Sequence, residues 1–300
     1  MTGEAFNMED TTEKPRARRS AEFTPAQSAI RSIQKKYRRD IWTPFVTAIK
    51  RYRLISAGDR IAVCISGGKD SAILAVLMRE LRRHSDVPFD CEYIVMDPGY
   101  SAENRERLES NARLLEIPIR VFETNVFGVS QRMGGESPCY LCARMRRGHL
   151  YSYAKSLGCN KIALGHHMSD VIETTLMGML WGSQIQGMLP RLRSTNFPGM
   201  ELIRPLYRIN EEAIISWARY NSLEFLGCAC SATRAAESDA SSSKRRETKE
   251  LIRRLRNEGN ADIEKNIFNS IHRANVDTLV GYKLFGEEHS FLERFDEGDS

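Results

Sequence analysis

Residues 60–66, RIAVCIS, are apolar at every interior position. A strand with one face in water alternates apolar and polar side chains, whereas a run apolar throughout suits a strand buried on both faces of a parallel sheet. The run breaks off into Ser66-Gly67-Gly68-Lys69-Asp70-Ser71, and apolar residues resume at once in DSAILAVLMRELRRH, which reads as a helix. Parallel strands need such a crossover, so strand, break and helix together predict a right-handed βαβ unit. The alternation continues. CEYIVMD, PIRVFET and KIALGHH read as strands; SAENRERLESNARLLEI, CYLCARMRRGHLYSYAKSLG and SDVIETTLMGMLWG read as helices. The expected fold class is therefore α/β, a parallel sheet with helices on both faces.

Outside that frame the regularity falls. Residues 1–24 read as a disordered tail, few of them apolar and many charged. Residues 25–55 read as an N-terminal helical segment broken near Pro44. The α/β domain is placed at 56–220. A cysteine-bearing, basic and mainly helical region follows at 221–286, with SATRAAESDASSS as a flexible linker inside it, and 287–300 form an acidic tail. GSQIQGMLPRLRSTNFPG, from Gly182, is loop-like.

Ligands of open parallel sheets bind beyond the carboxyl ends of the strands. Ser66 to Ser71, Asp97, and Gly165 to Asp170 all fall there. A glycine pair between strand and helix exposes backbone N–H groups and lets an oxyanion come close, and the helix start adds the positive end of its dipole. Lys69 supplies a compact cation, and Ser66 and Ser71 supply hydroxyls. This is a phosphate cradle, distinct from the Walker spacing Gly-x-x-x-x-Gly-Lys-Ser/Thr. An ordinary capped turn is the plain alternative, but it requires neither the second glycine nor the lysine.

Ser-Gly-Gly-x-Asp-Ser after a first parallel strand resembles the PP-loop of the ATP pyrophosphatases, which cleave ATP to AMP and pyrophosphate. LGHHMSDVIET and IRPL at Ile203 to Leu206 resemble two further stretches of that group. PCYLCARMRRG and the distant GCAC narrow the resemblance to the tRNA 2-thiocytidine synthetase family, over most of Ile61 to Cys230. The resemblance implies ATP bound by Ser66, Gly67, Gly68, Lys69, Asp70, Ser71, Asp97, Gly165 and Asp170, with Lys69 and Asp70 catalytic. It implies Mg²⁺ helped by Asp70 or Asp170, and a [4Fe–4S] cluster on Cys139, Cys142 and Cys228. The histidine stretch departs from the family pattern: Ser169 stands where a second aspartate is common. Cys230 could stand in for Cys228, and all four cysteines could close a structural zinc site.

The resemblance also implies a tRNA partner and a sulfur donor, either a cysteine desulfurase or free sulfide; a homodimer is compatible with it. Alternative readings are another PP-loop tRNA-modifying reaction, namely uridine thiolation or lysine addition, and a zinc-stabilised RNA-binding protein. Lysine addition would leave the cysteines without a role.

Composition agrees. No apolar run approaches the ~20 residues of a membrane helix, and the polar N-terminal residues lack a signal-peptide core, so a cytoplasmic protein without membrane contact is expected. Seven cysteines, an odd number, argue against a disulfide framework. Cys64, Cys91 and Cys159 lie in or beside strands and read as small core residues. The net charge is +5; six acids against Arg294 give 287–300 a charge of −5 and leave +10 on the remainder. A body that basic suits a polyanion, and Arg144, Arg146, Arg147 and the basic stretch 244–256 are candidate contacts. His166 and His167 are adjacent and so point to opposite faces of an extended chain; neither is favoured as a metal ligand.

Overall fold

Strand β1 (Arg60–Ile65) is central to a sheet with β2 (Asp90–Asp97), β3 (Ile119–Glu123), β4 (Lys161–Ala163), β5 (Arg191–Arg193) and β6 (Glu201–Ile203). The computed structural model describes residues 23–124, 138–226, 240–259 and 261–296. The strand order is β3-β2-β1-β4-β6-β5. All neighbours are parallel except β5, which pairs antiparallel with β6 at the edge, Leu192 opposite Leu202. The expected parallel sheet is present; the antiparallel edge strand adds to it from the segment read as loop, where three residues offer too short a pattern to register as a strand.

The pattern of β1 explains its composition. Ile61, Val63 and Ile65 enter one apolar core, and Ala62 and Cys64 enter another on the opposite face. Helices α1 (Pro25–Gln34), α2 (Thr43–Arg51), α3 (Lys69–His84), α4 (Ala102–Leu114) and, from late in the chain, α7 (Glu211–Tyr220) contribute Ile33, Phe45, Ile73, Leu108 and Trp217 to the first core. Helix α5 (Pro138–Ser156) lays Tyr151 and Ala154 over the second. Cys64 and Cys159 are buried there, and Cys91 packs against the first core. Helix α6 (Met168–Gly182) follows β4; α8 (Ala240–Asn257) and α9 (Ile263–Ser270) pack on it through Ile172, Ile252 and Phe268.

Three local features add detail to the expected segments. The N-terminal helical segment is interrupted before Pro44: α1 ends at Gln34, a π-helical turn covers Arg38–Trp42, and Pro44 sits in the first turn of α2, where its missing N–H costs nothing. Residues 231–239 of the expected linker lie outside the described residues, while Ala240 already opens α8. Strands β7 (Gly281–Leu284) and β8 (Glu287–Ser290) form a hairpin followed by α10 (Phe291–Asp296), so the position taken as the start of an acidic tail falls within regular structure. Among the described residues no helix is long and apolar enough to cross a membrane.

Candidate active site

After β1 the chain builds outward to β2 and β3, then returns to place β4 on the other side of β1. The loops leaving β1 and β4 therefore diverge, and the crevice between them is where an open α/β sheet receives a ligand. A cavity of ≈ 290 Å³ lies there. Ser66, Asp70 and Ser71 line it from the first loop, and Gly165, His166 and Asp170 from the second; Ile65, Met96 and Leu164 give it apolar wall.

Two of the three glycines in these loops, Gly67 and Gly165, have a steric reason. Gly67 has φ +83°, and a Cβ there would stand 2.6 Å from Leu226 Cδ1. Its carbonyl accepts a hydrogen bond from the Leu226 N–H at 3.1 Å. The chain segment leading towards Cys228 is thus laid against the phosphate loop. A Cβ on Gly165 would come within 3.1 Å of the Asp70 carbonyl carbon and 3.2 Å of the Ser71 nitrogen, so glycine lets the two loops meet backbone to backbone. Ser71 Oγ donates to the Gly68 carbonyl at 2.9 Å and accepts from the Ser66 N–H at 3.1 Å. These bonds fix the turn that opens α3, at whose start an anion meets the helix dipole.

Charge concentrates beside the cavity, around the first turn of α3. Lys69 Nζ is 3.1 Å from Asp70 Oδ2 and 2.9 Å from Glu211 Oε1. Burial works against the Lys69 ammonium, but the Glu211 hydrogen bond and the charges of Asp70 and Glu211 outweigh it and hold its pKa above the ordinary lysine value. Burial likewise opposes the Glu211 carboxylate, and Lys69 with Lys249 overcomes it, bringing its pKa down to about 2. Asp170 caps α6 by accepting the His167 N–H at 2.9 Å.

Asp70 Oδ1 is buried with no hydrogen-bond partner; His167 Nε2, at 3.7 Å, is beyond bonding distance. A buried carboxylate oxygen left unpaired is costly unless a cation meets it. With Asp170 on the same cavity, the site offers two carboxylates. That suits Mg²⁺, which binds one or two protein carboxylates and completes its shell with water and phosphate oxygens. No three His, Cys, Asp or Glu side chains converge as a metal site among the described residues.

His166 is held neutral: burial first, then the Arg204 guanidinium, pull its pKa down to about 4. Arg204 Nε donates to His166 Nδ1 at 3.4 Å, which leaves the ring proton on Nε2 as a donor. The folded pKa lies below the unfolded value of 6.5. The unfolded chain therefore takes up a proton that the folded chain refuses, and this contribution to stability is lost as pH falls from about 6.5 towards 4. Urea unfolding should show His166 costing about 2 kcal/mol of stability between pH 7 and pH 5. His166→Asn should lack that component; an identical pH dependence in both proteins would refute the assignment.

The structure thus brings Ser66, Lys69, Asp70, Ser71, Gly165 and Asp170 together. Asp97 is not among the residues that line the cavity. Its Oδ1 accepts from the N–H groups of Gly99 and Tyr100 at 2.8 and 2.7 Å, and its Oδ2 pairs with Arg105 at 3.2 Å. It shapes the turn after β2, and its neighbour Met96 reaches the cavity instead. Cys139 and Cys142 lie on the opening turns of α5. Their side chains, and Cys228 and Cys230 altogether, lie outside the described residues. Glu211 and Glu173 escaped sequence reading, and Arg245 and Lys249 entered it only as part of the basic stretch 244–256; the nearest cue was the acid pair Glu211-Glu212 just beyond IRPL.

Comparison with known proteins fits this geometry. A family model described as a PP-loop domain matches residues 39–235. The tRNA-cytidine(32) 2-sulfurtransferase of Pelobacter propionicus is 37% identical over 213 residues, 70% of this chain and 77% of that protein. The protein of the same name from Geobacter sulfurreducens is 34% identical over 79% of this chain and 90% of its own length. Among solved structures, the U34-tRNA thiolase NcsA from Methanococcus maripaludis, described with its [4Fe–4S] cluster, shares the fold at TM-score 0.61 and 19% identity, over 77% of each chain. On its sequence and on the phosphate loop that closes its central crevice, the chain belongs to the PP-loop family that includes the tRNA-cytidine(32) 2-sulfurtransferases.

Proposed function

We propose that the protein is a cytoplasmic, ATP-dependent tRNA sulfurtransferase that exchanges the C2 oxygen of cytidine 32, in the anticodon loop, for sulfur. One observation carries the reading: the phosphate loop and the Asp70–Asp170 pair converge on one cavity, while Gly67 of that loop is hydrogen-bonded to the segment that leads into the distal cysteines.

Oxygen at C2 leaves poorly. If cytidine O2 attacks the α-phosphorus of ATP, the Pα–O bond to pyrophosphate breaks, and O2 becomes part of an AMP leaving group. The exposed N–H groups at the start of α3 hold phosphate oxygens, and Lys69 meets the charge that grows on pyrophosphate as it departs. Ser66 and Ser71 add hydroxyls on the same wall. Gly165 keeps the second loop close, and Met96 and Leu164 offer apolar contact to a planar base. Mg²⁺ held by Asp70 and Asp170 would neutralise part of the triphosphate charge. Sulfide (HS⁻), supplied free or released from a cysteine desulfurase persulfide by two electrons from a thiol reductant, then adds at C2, the C2–O bond to AMP breaks, and the sulfur loses its proton to solvent. A [4Fe–4S] cluster held by Cys139, Cys142 and Cys228 would leave one iron without a protein thiolate and would there supply a binding position for sulfur.

The target base lies in a single-stranded loop, so it can be splayed into the cavity without melting a helix. Phosphate contacts come from the basic body. On α8, Arg245, Lys249 and Arg256 are paired with acids of the body, whereas Arg246 and Arg253 are exposed and make no ion pair among the described residues, which leaves them to meet a backbone.

The test is incubation with ATP, Mg²⁺, sulfide and unmodified tRNA under anaerobic conditions, followed by pyrophosphate measurement and nucleoside mass spectrometry. Pyrophosphate should appear in step with 2-thiocytidine at position 32. Thiolated uridine in its place would move the chain to the uridine reaction, and ATP cleavage without any thionucleoside would overturn sulfur transfer.

A further inference from the structure

A chain of ion pairs runs from the phosphate loop to α8, far from it in sequence. Lys69 Nζ meets Glu211 Oε1 at 2.9 Å. The other oxygen of the same carboxylate, Oε2, is 3.4 Å from Lys249 Nζ. Lys249 also reaches Glu173 Oε1 at 3.4 Å, and Arg245 bonds Glu173 Oε2 at 2.7 Å and faces Asp170 Oδ1 at 3.4 Å. Glu173 is 2% exposed, so its charge depends on the two α8 cations for compensation. Lys249 and Arg245 stand four residues apart and therefore project from one face of the helix.

Glu211 is well placed to act between the two ends. It opens α7, where the helix dipole favours an acid, and its N–H donates to Ser169 Oγ at 3.3 Å, tying it to the start of α6. It stays ionised across the working pH range, with its pKa at about 2.

We propose that Glu211 is a positioning residue that couples capture of the triphosphate by Lys69 to the seating of α8 through Lys249. The proposal rests on reading Ser66 to Ser71 as an ATP loop. As Lys69 turns towards phosphate it gives up part of its hold on Glu211, whose carboxylate then passes to Lys249; the 3.4 Å contact leaves room to shorten. The charge balance drives the same change. Four carboxylates, Asp70, Asp170, Glu173 and Glu211, face three cations, Lys69, Arg245 and Lys249, and two of those three sit on α8. An entering triphosphate raises the negative charge further, so it binds better when α8 is seated and holds α8 more firmly once bound. Linkage makes the two effects equal.

The experiment is hydrogen–deuterium exchange on the full chain with Mg²⁺ and a non-hydrolysable ATP analogue. In the wild type, amides of 66–72 and of 244–257 should slow together when the analogue binds. Glu211→Gln, isosteric but uncharged, should keep the protection of 66–72 and lose that of 244–257, and Glu211→Asp should restore part of it. Lys249→Met should weaken analogue binding by about 5-fold or more, a typical coupling factor. If 66–72 is protected while 244–257 is indifferent in the wild type, or if Glu211→Gln retains protection of both, the coupling is wrong and the ATP loop stands. If the analogue protects neither segment, the ATP-loop reading falls, and the coupling with it.

Discussion

Lys69→Met lowers tRNA-dependent pyrophosphate release by at least ~10²-fold, equivalent to about 2.7 kcal/mol of transition-state stabilisation, while the variant still folds and still binds tRNA. The size follows from what the lysine does. It is the cation of the phosphate loop itself, and pyrophosphate gains charge as its bond to the α-phosphorus breaks. An ammonium held beside the loop by Asp70 and Glu211 and turned to the phosphates as ATP binds is in place before that charge develops. The fold tolerates the change because Lys69 is a quarter exposed and contributes no side chain to the apolar cores. Glu211 keeps Lys249 as a partner after the substitution. Initial rates with saturating ATP and tRNA, read beside a thermal melt, decide the matter. A Lys69→Met protein that turns over within a few-fold of wild type removes the phosphate-loop lysine from the mechanism.

That lysine was legible in the sequence because its setting is local. Strand, glycine pair, lysine and helix lie within two dozen residues, and each carries a physical requirement visible in the residue type. Gly165 was legible only as a strand-end residue and through the family resemblance; the close approach that requires glycine there, to the backbone of Asp70 and Ser71, came from the fold. The glutamate that holds Lys69 lies 142 residues away, and no periodicity links positions so distant. Arg245 and Lys249 looked like any basic helix, for which a solvated face and an RNA-binding face read alike. The structure divides that helix, turning Arg245 and Lys249 towards Glu173 and leaving Arg246 and Arg253 outside. Asp97 reads as a ligand contact from its place at a strand end and from the family resemblance; what only the fold adds is that its carboxylate accepts the neighbouring N–H groups of Gly99 and Tyr100 and so also orders the turn.

The cysteines carry the second large effect. Cys139→Ala, Cys142→Ala and Cys228→Ala each lose their iron and their ability to form 2-thiocytidine, whereas Cys230→Ala keeps its iron and most of its activity. Cys139 and Cys142 are three residues apart at the opening of α5, so they share a helix face, at the end of the helix where the dipole favours thiolates. The third ligand has to come from elsewhere in the chain. Leu226, anchored to the phosphate loop by its N–H bond to Gly67, is two residues before Cys228, a reach of about 7 Å at full extension; Cys230 has about twice that freedom. A fourth thiolate would close the cluster and leave no iron for sulfur, so one of the two must stand aside, and the shorter tether favours Cys228. Iron per chain and visible absorbance of anaerobically purified variants, with nucleoside analysis of the tRNA, give the answer. Loss of iron from Cys230→Ala with retention in Cys228→Ala reassigns the third ligand. Stoichiometric zinc in the wild type, lost from all four variants, removes the cluster, and the route proposed for the incoming sulfur goes with it.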